Sequence, residues 1–449
     1  MRVMKWSMIA LAVAAAASSQ LATAAPFVGD QAEAKGFVED AKFDLLLRNY
    51  YFNRDNKDEG SQDQKDWTQG IWGNLSSGYT QGTVGVGVDV FGYLAIKLDG
   101  GDGTSGSGNM SRGVADANGI RHANDSQGKA GAAVKARISK TELKFGEMQP
   151  STSPVFAVGG SRILPQTATG FQLQSSEIKD LDLEAGHFYS ASSQDNNSSQ
   201  GGLFPNYAGL GYEARTIDYF GGRYGISENL SASLYGSKLE DIWNQYYANL
   251  NYTIPMGGDQ SLNLDGNIYR TVDEGSADAG SISNTTFSLA AAFSFLKAHT
   301  VTVAFQKVNG DTPFDYIGVG KNNRGGDSIF LANSIQYSDF NAPNEKSAQV
   351  RYDLKMAEYG VPGLSFMTRY VKGWDIDGTN APVGAYTGAY GEDGKHNETN
   401  FEAKYVVQSG PAKDLSFRAR QAWHFANDDQ REGDVKEFRL IVDYPLSIL

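Results

Sequence analysis

The chain has 449 residues, with 52 Asp+Glu against 39 Lys+Arg, a formal net charge of −13 and a mean hydropathy of −0.40. It has no cysteine, which excludes a disulfide scaffold, thiolate catalysis and Cys-ligated zinc or iron–sulfur sites. Its acidity argues against nucleic acid as a partner, because phosphate binding needs a basic surface.

Arg2 and Lys5 precede an apolar run of eleven residues at 7–17, and Ala22-Thr23-Ala24 forms an A-x-A site. This pattern predicts a secretory signal peptide over residues 1–24, leaving 25–449 as the mature chain. The run is too short to span a bilayer, which needs ~20 apolar residues. No later stretch of 18 or more apolar residues occurs, so helical spans are not expected.

The dominant signal is alternation. Along residues 83–98, Val84, Val86, Val88, Val90, Leu94, Ile96 and Leu98 share one parity, and Thr83, Gly85, Gly87, Asp89 and Lys97 fall on the other. Such a run is far longer than an ordinary strand of about five or six residues and suits a tall, tilted barrel wall. The same parity recurs in Phe287, Leu289, Ala291, Phe293 and Phe295, and again in Phe438, Leu440, Val442 and Tyr444. Read this way, residues 43–449 contain eighteen strands. Short connections (80–82, 140, 297–298, 410–413) alternate with long ones (99–130, 148–170, 191–214, 309–345, 375–395). The expected fold is all-β: a transmembrane antiparallel β-barrel of about 18 strands, with an aqueous bore and both termini on the short-turn side. The 99–130 loop, rich in Gly, Ser, Asn and Asp, is expected to be flexible.

A charge on a wall strand should face the lumen, because facing lipid costs up to a few kcal/mol at the midplane. By parity Arg418 and Arg420 oppose Leu415 and Phe417, Arg439 opposes Phe438 and Leu440, and Lys404 opposes Phe401 and Tyr405. Arg48, Arg137 and Arg369 also oppose apolar neighbours, whereas Arg270 shares their parity and is assigned to a rim. Two readings of the basic residues stand side by side. In one they form a track for anions; in the other they pair with luminal Glu402, Glu437 and Asp443 to brace the wall. The segment 148–170 carries Pro150, Pro154, Pro165 and Gly159-Gly160 among apolar residues, which rules out a strand. Its apolar content seeks burial, so it is expected to fold into the lumen as a constriction loop carrying Arg162.

The chain resembles the OprD-type outer-membrane porins, or outer-membrane carboxylate channels, in blocks spread over nearly its whole length. These are LLLRNYYFNRD (45–55), GGSRILPQTATGFQLQSS (159–176), LEAGHF (183–188), DIWNQYY (241–247), FDYIG (314–318), SIFLANSIQYSDFN (328–341), EAKYVVQSGPAKDLSFRARQAWH (402–424) and EFRLIVDYPLSIL (437–449). The resemblance implies a monomeric channel in the bacterial outer membrane, surrounded by lipid and lipopolysaccharide, for small carboxylate-bearing or zwitterionic solutes such as amino acids. It implies a basic ladder at Arg54, Lys404, Arg418, Arg420 and Arg439. It also implies a constriction formed by Arg162 on one side and Tyr316, Ser334, Tyr337 and Asp339 on the other. Tyr207 is a looser match, and Arg48, Arg137 and Arg369 are further luminal candidates. Lys65 stands where the family often has Arg, and the 99–130 and 190–214 loops are unlike it.

Two rival readings stand beside this one. A barrel hydrolase would need a nucleophile and base, yet no G-x-S-x-G elbow and no H-x-x-x-H zinc pair occurs. His187 with Asp241 and Ser328 is the triad that can be drawn. A secreted adhesin-like β-protein is the other rival. No cofactor, metal site or enzymatic activity is expected.

Overall fold

The computed structural model describes residues 25–449, so the expected signal peptide lies outside the described residues. Eighteen antiparallel strands, each paired with its neighbour in sequence, form the wall. They are β1 (Lys42–Asn56), β2 (Gln64–Ser76), β3 (Val84–Gly100), β4 (Ser126–Ile138), β5 (Thr141–Met148), β6 (Thr167–Ser175), β7 (Leu181–Ser192), β8 (Ile217–Ser227), β9 (Leu230–Leu239), β10 (Trp243–Gly257), β11 (Gln260–Asp273), β12 (Ser283–Phe295), β13 (His299–Asn309), β14 (Lys346–Lys355), β15 (Leu364–Ile376), β16 (Gly394–Val406), β17 (Ser416–Ala426) and β18 (Val435–Ser447). β1 pairs with both β2 and β18, from Asp44 opposite Ser447 to Asn56 opposite Val435, and this closes the barrel. Closure leaves no unpaired edge.

The alternation read in the sequence is the alternation of the wall. In β3 Phe91, Tyr93 and Ala95 are buried, while Val90, Leu94 and Ile96 between and beside them are exposed. Val134, Leu234, Leu250, Leu289, Val303 and Val350 continue that exposed apolar face around the barrel. An apolar belt of this extent requires lipid rather than water against it.

Each predicted strand has one counterpart. The long connections also turn out to be structured. Leu203–Pro205, Ile317–Val319 and Arg324–Gly325 form a small sheet that joins two of them, locked by Asp195 accepting from Arg324 Nε at 2.8 Å. The 99–130 loop departs from the expectation of a flexible surface loop. Its Ser105, Ser107, Asn109 and Met110 are buried, because Asp66 accepts hydrogen bonds from Ser107 Oγ and Asn109 Nδ2 and draws the segment inward. At the short-turn end, residues 25–35 lie across the barrel mouth: Gln31 donates to Thr80 O and Gly82 O, and its backbone N–H to Ser139 O.

Candidate functional site: a charged constriction inside the barrel

The segment between β5 and β6 supplies the apolar residues expected to seek burial, and they are buried: Val155, Phe156, Ala157, Ile163 and Leu164 are each 0% exposed. Its contacts reach wall residues of the inward parity on well-separated strands. Trp72 Nε1 of β2 donates to Ile163 O at 2.6 Å, and Tyr269 Oη of β11 donates to Pro154 O at 3.1 Å. Gly70 lets the loop approach the wall, since a Cβ there would stand 2.8 Å from Ile163 O.

Arg48 is the clamp. Its guanidinium binds both oxygens of Asp443 (2.8 and 3.0 Å) and donates through NH1 to Gly160 O and Arg162 O (2.7 and 2.8 Å). Only 2% exposed, Arg48 has its charge fully engaged, so it positions the loop rather than presenting a free cation to the lumen. The loop thus delivers Arg162, whose Nε donates to Ser107 O at 2.9 Å and whose guanidinium lies 5.3 Å from the Phe52 ring centre. Arg54 and Arg439 flank the same ring at 5.4 and 5.7 Å.

These arginines share few carboxylates. Arg54 (2.5 Å) and Arg439 (2.6 Å) both bind Glu437, and Arg418 (2.8 Å) and Arg420 (3.2 Å) both bind Glu402. Four guanidiniums on two carboxylates leave two positive charges over. Arg162 and Lys404, which form no ion pair with a carboxylate among the described residues, add two more. Arg420 Nε is buried without a well-aligned acceptor. The strand register sets the ladder: Lys404 stands opposite Arg418, Glu402 opposite Arg420, and Arg420 opposite Arg439.

A second polar cluster joins the loop between β13 and β14 to the loop between β7 and β8, which supplies Tyr207. Asp339 accepts from Ser334 Oγ (2.5 Å), Tyr207 Oη (2.8 Å) and Tyr316 Oη (3.1 Å). Burial raises the Asp339 carboxyl above the usual range, and these three donors oppose the rise. Tyr207 and Tyr316 are themselves pinned by Asp315, which accepts from their backbone N–H groups and from Tyr386 Oη, and which burial pushes up to about 6. Tyr337 sits elsewhere. Its ring packs against Arg54 at 4.9 Å, and Glu398 holds its N–H, so it belongs to the arginine side.

The sequence-predicted residues therefore form two groups. Arg54, Arg162, Arg439 and Tyr337 cluster around Phe52 and Glu437; Tyr207, Tyr316 and Ser334 converge on Asp339. Arg418, Arg420 and Lys404 continue the basic row. Arg369 faces inward as expected but is buried against Asn400 (2.5 Å). Arg137 also faces inward, at the short-turn mouth, where it binds Gln31 and stacks 3.9 Å from the Tyr79 ring. Arg270 lies exposed on the outer face near a strand end, bonded to Ser283 and Thr285.

A family model described as outer membrane porin, OprD family, matches residues 35–448. The chain belongs to the OprD family of outer membrane porins. It is 65% identical to Porin D of Pseudomonas aeruginosa over the full length of both chains. The crystal structure of Pseudomonas aeruginosa OprD superposes with a TM-score of 0.82 at 62% identity, covering 94% of this chain and 100% of that one. A structure of Pseudomonas aeruginosa OpdK with vanillate superposes with a TM-score of 0.80 at 35% identity, covering 92% and 100%. This porin resides in the bacterial outer membrane and is not an enzyme. The drawn triad does not assemble either: His187 pairs with Asp218 at 2.6 Å on the outer face, Asp241 contacts Ser276 and Arg215, and Ser328 is fully buried.

Sequence reasoning missed Asp315, Glu398 and the loop residues Ser107 and Asn109. Asp315 lies inside the FDYIG block, beside a tyrosine already singled out. The other three carry no local signal, because their roles depend on which loops meet inside the lumen.

Proposed function

We propose that this porin passes small carboxylate-bearing solutes, zwitterionic amino acids among them, along the basic row. The shared carboxylates carry this reading. A track paired one-to-one would be neutral, whereas this one keeps a surplus of positive charge beside a single carboxylate hub. A solute carboxylate would meet Arg162 and then pass along Arg54, Arg439, Arg420, Arg418 and Lys404, while Asp339 attracts an ammonium on the other side. Apart from Lys404, each of these cations already bonds a carboxylate or a backbone carbonyl, which keeps binding weak enough for release. OpdK, whose structure includes vanillate, shows that a relative accommodates an aromatic carboxylate.

Because one chain closes the wall by itself, a monomer is a complete channel. At the long-loop end of the outer face, Lys307 stands directly opposite Lys346 and near Lys372. Asp375 pairs with Lys346 at 2.7 Å, and lipopolysaccharide phosphates would offset the charges of Lys307 and Lys372 that remain.

The test is single-channel recording in planar bilayers together with liposome swelling over a panel of carboxylates. Channels blocked in a concentration-dependent way by a permeating carboxylate are expected. Refolded, heat-modifiable protein that swelled liposomes equally with neutral sugars and with carboxylates of the same size would overturn the substrate class.

A further inference from the structure

His396 of β16 and His424 of β17 meet inside the lumen, with His396 Nδ1 2.8 Å from His424 Nε2. The other nitrogen of each ring is committed. His396 Nε2 lies 2.7 Å from Glu345 Oε1, and His424 Nδ1 lies 2.8 Å from the carbonyl of Gly433. A carboxylate and a carbonyl only accept, so both of these nitrogens carry hydrogen. Two neutral imidazoles arranged this way turn lone pair toward lone pair at hydrogen-bond distance. Such a contact is repulsive unless a cation stands between the nitrogens.

A proton on one ring would satisfy the pair, but the surroundings are built for more. Glu432 Oε2 is 4.0 Å from His424 Nε2, and one ligand atom from each of His396, His424 and Glu432 falls within 4.8 Å of the others. Metal-binding histidines typically donate their second N–H to a carboxylate or backbone carbonyl, which fixes the tautomer and raises ligand basicity. Glu345 and Gly433 do this here. Tetrahedral zinc with bonds of ~2.0–2.1 Å places its donors about 3.3 Å apart. The 2.8 Å and 4.0 Å separations straddle that value, and the His396–Glu432 separation, up to 4.8 Å, closes by a swing of the partly exposed Glu432 side chain. Both imidazole side chains are 0% exposed and Glu432 is 20% exposed, so its carboxylate marks the way in.

We propose that His396 Nδ1, His424 Nε2 and the Glu432 carboxylate bind one borderline divalent transition-metal ion, of the zinc type, with a fourth position left open. The ion would sit against the inner loop that carries the constriction residues, since Phe340 stacks on His396 at 4.2 Å and the Tyr337 ring lies 4.8 Å from His424.

The test uses the full-length mature chain refolded in detergent and stripped with a chelator, then titrated with Co²⁺ as a visible-absorption probe and with Zn²⁺ in competition. One equivalent of Co²⁺, with the intense d–d bands of a four-coordinate N/O site and displaced by Zn²⁺, is expected. His424→Gln and Glu432→Gln should each weaken binding at least tenfold. His122→Gln should leave it unchanged, because His122 pairs with Asp102 and Asp116 in an outer loop. Absence of saturable binding to the wild-type chain would mean that the pair shares a proton only and would overturn the proposal. Undiminished affinity in Glu432→Gln would do the same, and that variant decides alone if His424→Gln does not refold.

Discussion

Arg48 and Asp443 face each other across the seam where β1 meets β18, and their bidentate pair also grips the constriction loop through Gly160 O and Arg162 O. Barrel closure and pore geometry thus meet at one guanidinium. Removing one partner of a buried pair strands the other and costs roughly 3–5 kcal/mol. Arg48→Met should therefore lower the denaturant midpoint of the refolded barrel and also free the loop. The expected recording is a larger and noisier open-channel current. An unchanged current would show that the loop is held without Arg48.

The track and bracing readings separate at Glu402. Glu402→Gln keeps the side chain's shape but removes the charge that Arg418 and Arg420 share. On the track reading anion permeation rises several-fold, because two arginines lose their internal partner. On the bracing reading permeation is unchanged and stability falls. Reversal potentials in a salt gradient distinguish the two.

Arg420→Ala should lower uptake of an anionic solute by about tenfold, the order expected for one lost charged hydrogen bond. Uptake of a neutral solute of equal size should hardly change. Equal loss of both would place Arg420 in the wall structure alone.

Asp339→Asn tests the opposite side. The three hydroxyl donors can still bond an amide oxygen, so local shape should persist while the negative charge is lost. Preference for zwitterionic or cationic amino acids over simple carboxylates should fall by about tenfold or less, as measured by competition for channel block.

Asp327 lies beside the constriction loop, its backbone N–H donating to Ala157 O, and burial pushes its carboxyl up to about 7. A raised carboxyl is neutral below that value and ionises as pH rises through it. Each ionisation adds a negative charge next to the loop. Anion preference should therefore decline between about pH 6 and 8, and Asp327→Asn should flatten that decline. A pH profile identical in the variant would remove Asp327 from the account.

Parity alone placed Arg418, Arg420, Arg439 and Lys404 inside the barrel, because a strand's side chains alternate strictly and lipid tolerates no charge at depth. The same rule set Arg270 apart, and its outward position near a strand end agrees. Local composition likewise sent the 148–170 segment inward, since its valines, leucine and isoleucine have no other place to go. It misjudged the 99–130 loop, whose burial depends on Asp66 on a neighbouring strand. Nor does composition reveal that Asp66, Glu184, Glu398 and Glu437 are buried on the inner face.

The sequence by itself determined the wall: eighteen strands, which face of each meets lipid, and which basic residues turn inward. Those properties repeat every two residues and need no knowledge of partners. Only the tertiary structure decided the charge balance of the lumen. Which arginines share Glu402 and Glu437, which one is spent on holding a loop, and which tyrosines close on Asp339 all depend on cross-strand register and on loops meeting in the bore. So does the meeting of His396 with His424. Contacts between residues tens to hundreds of positions apart leave no periodic trace in the chain, and the ion pairs they form set the field that a solute crosses.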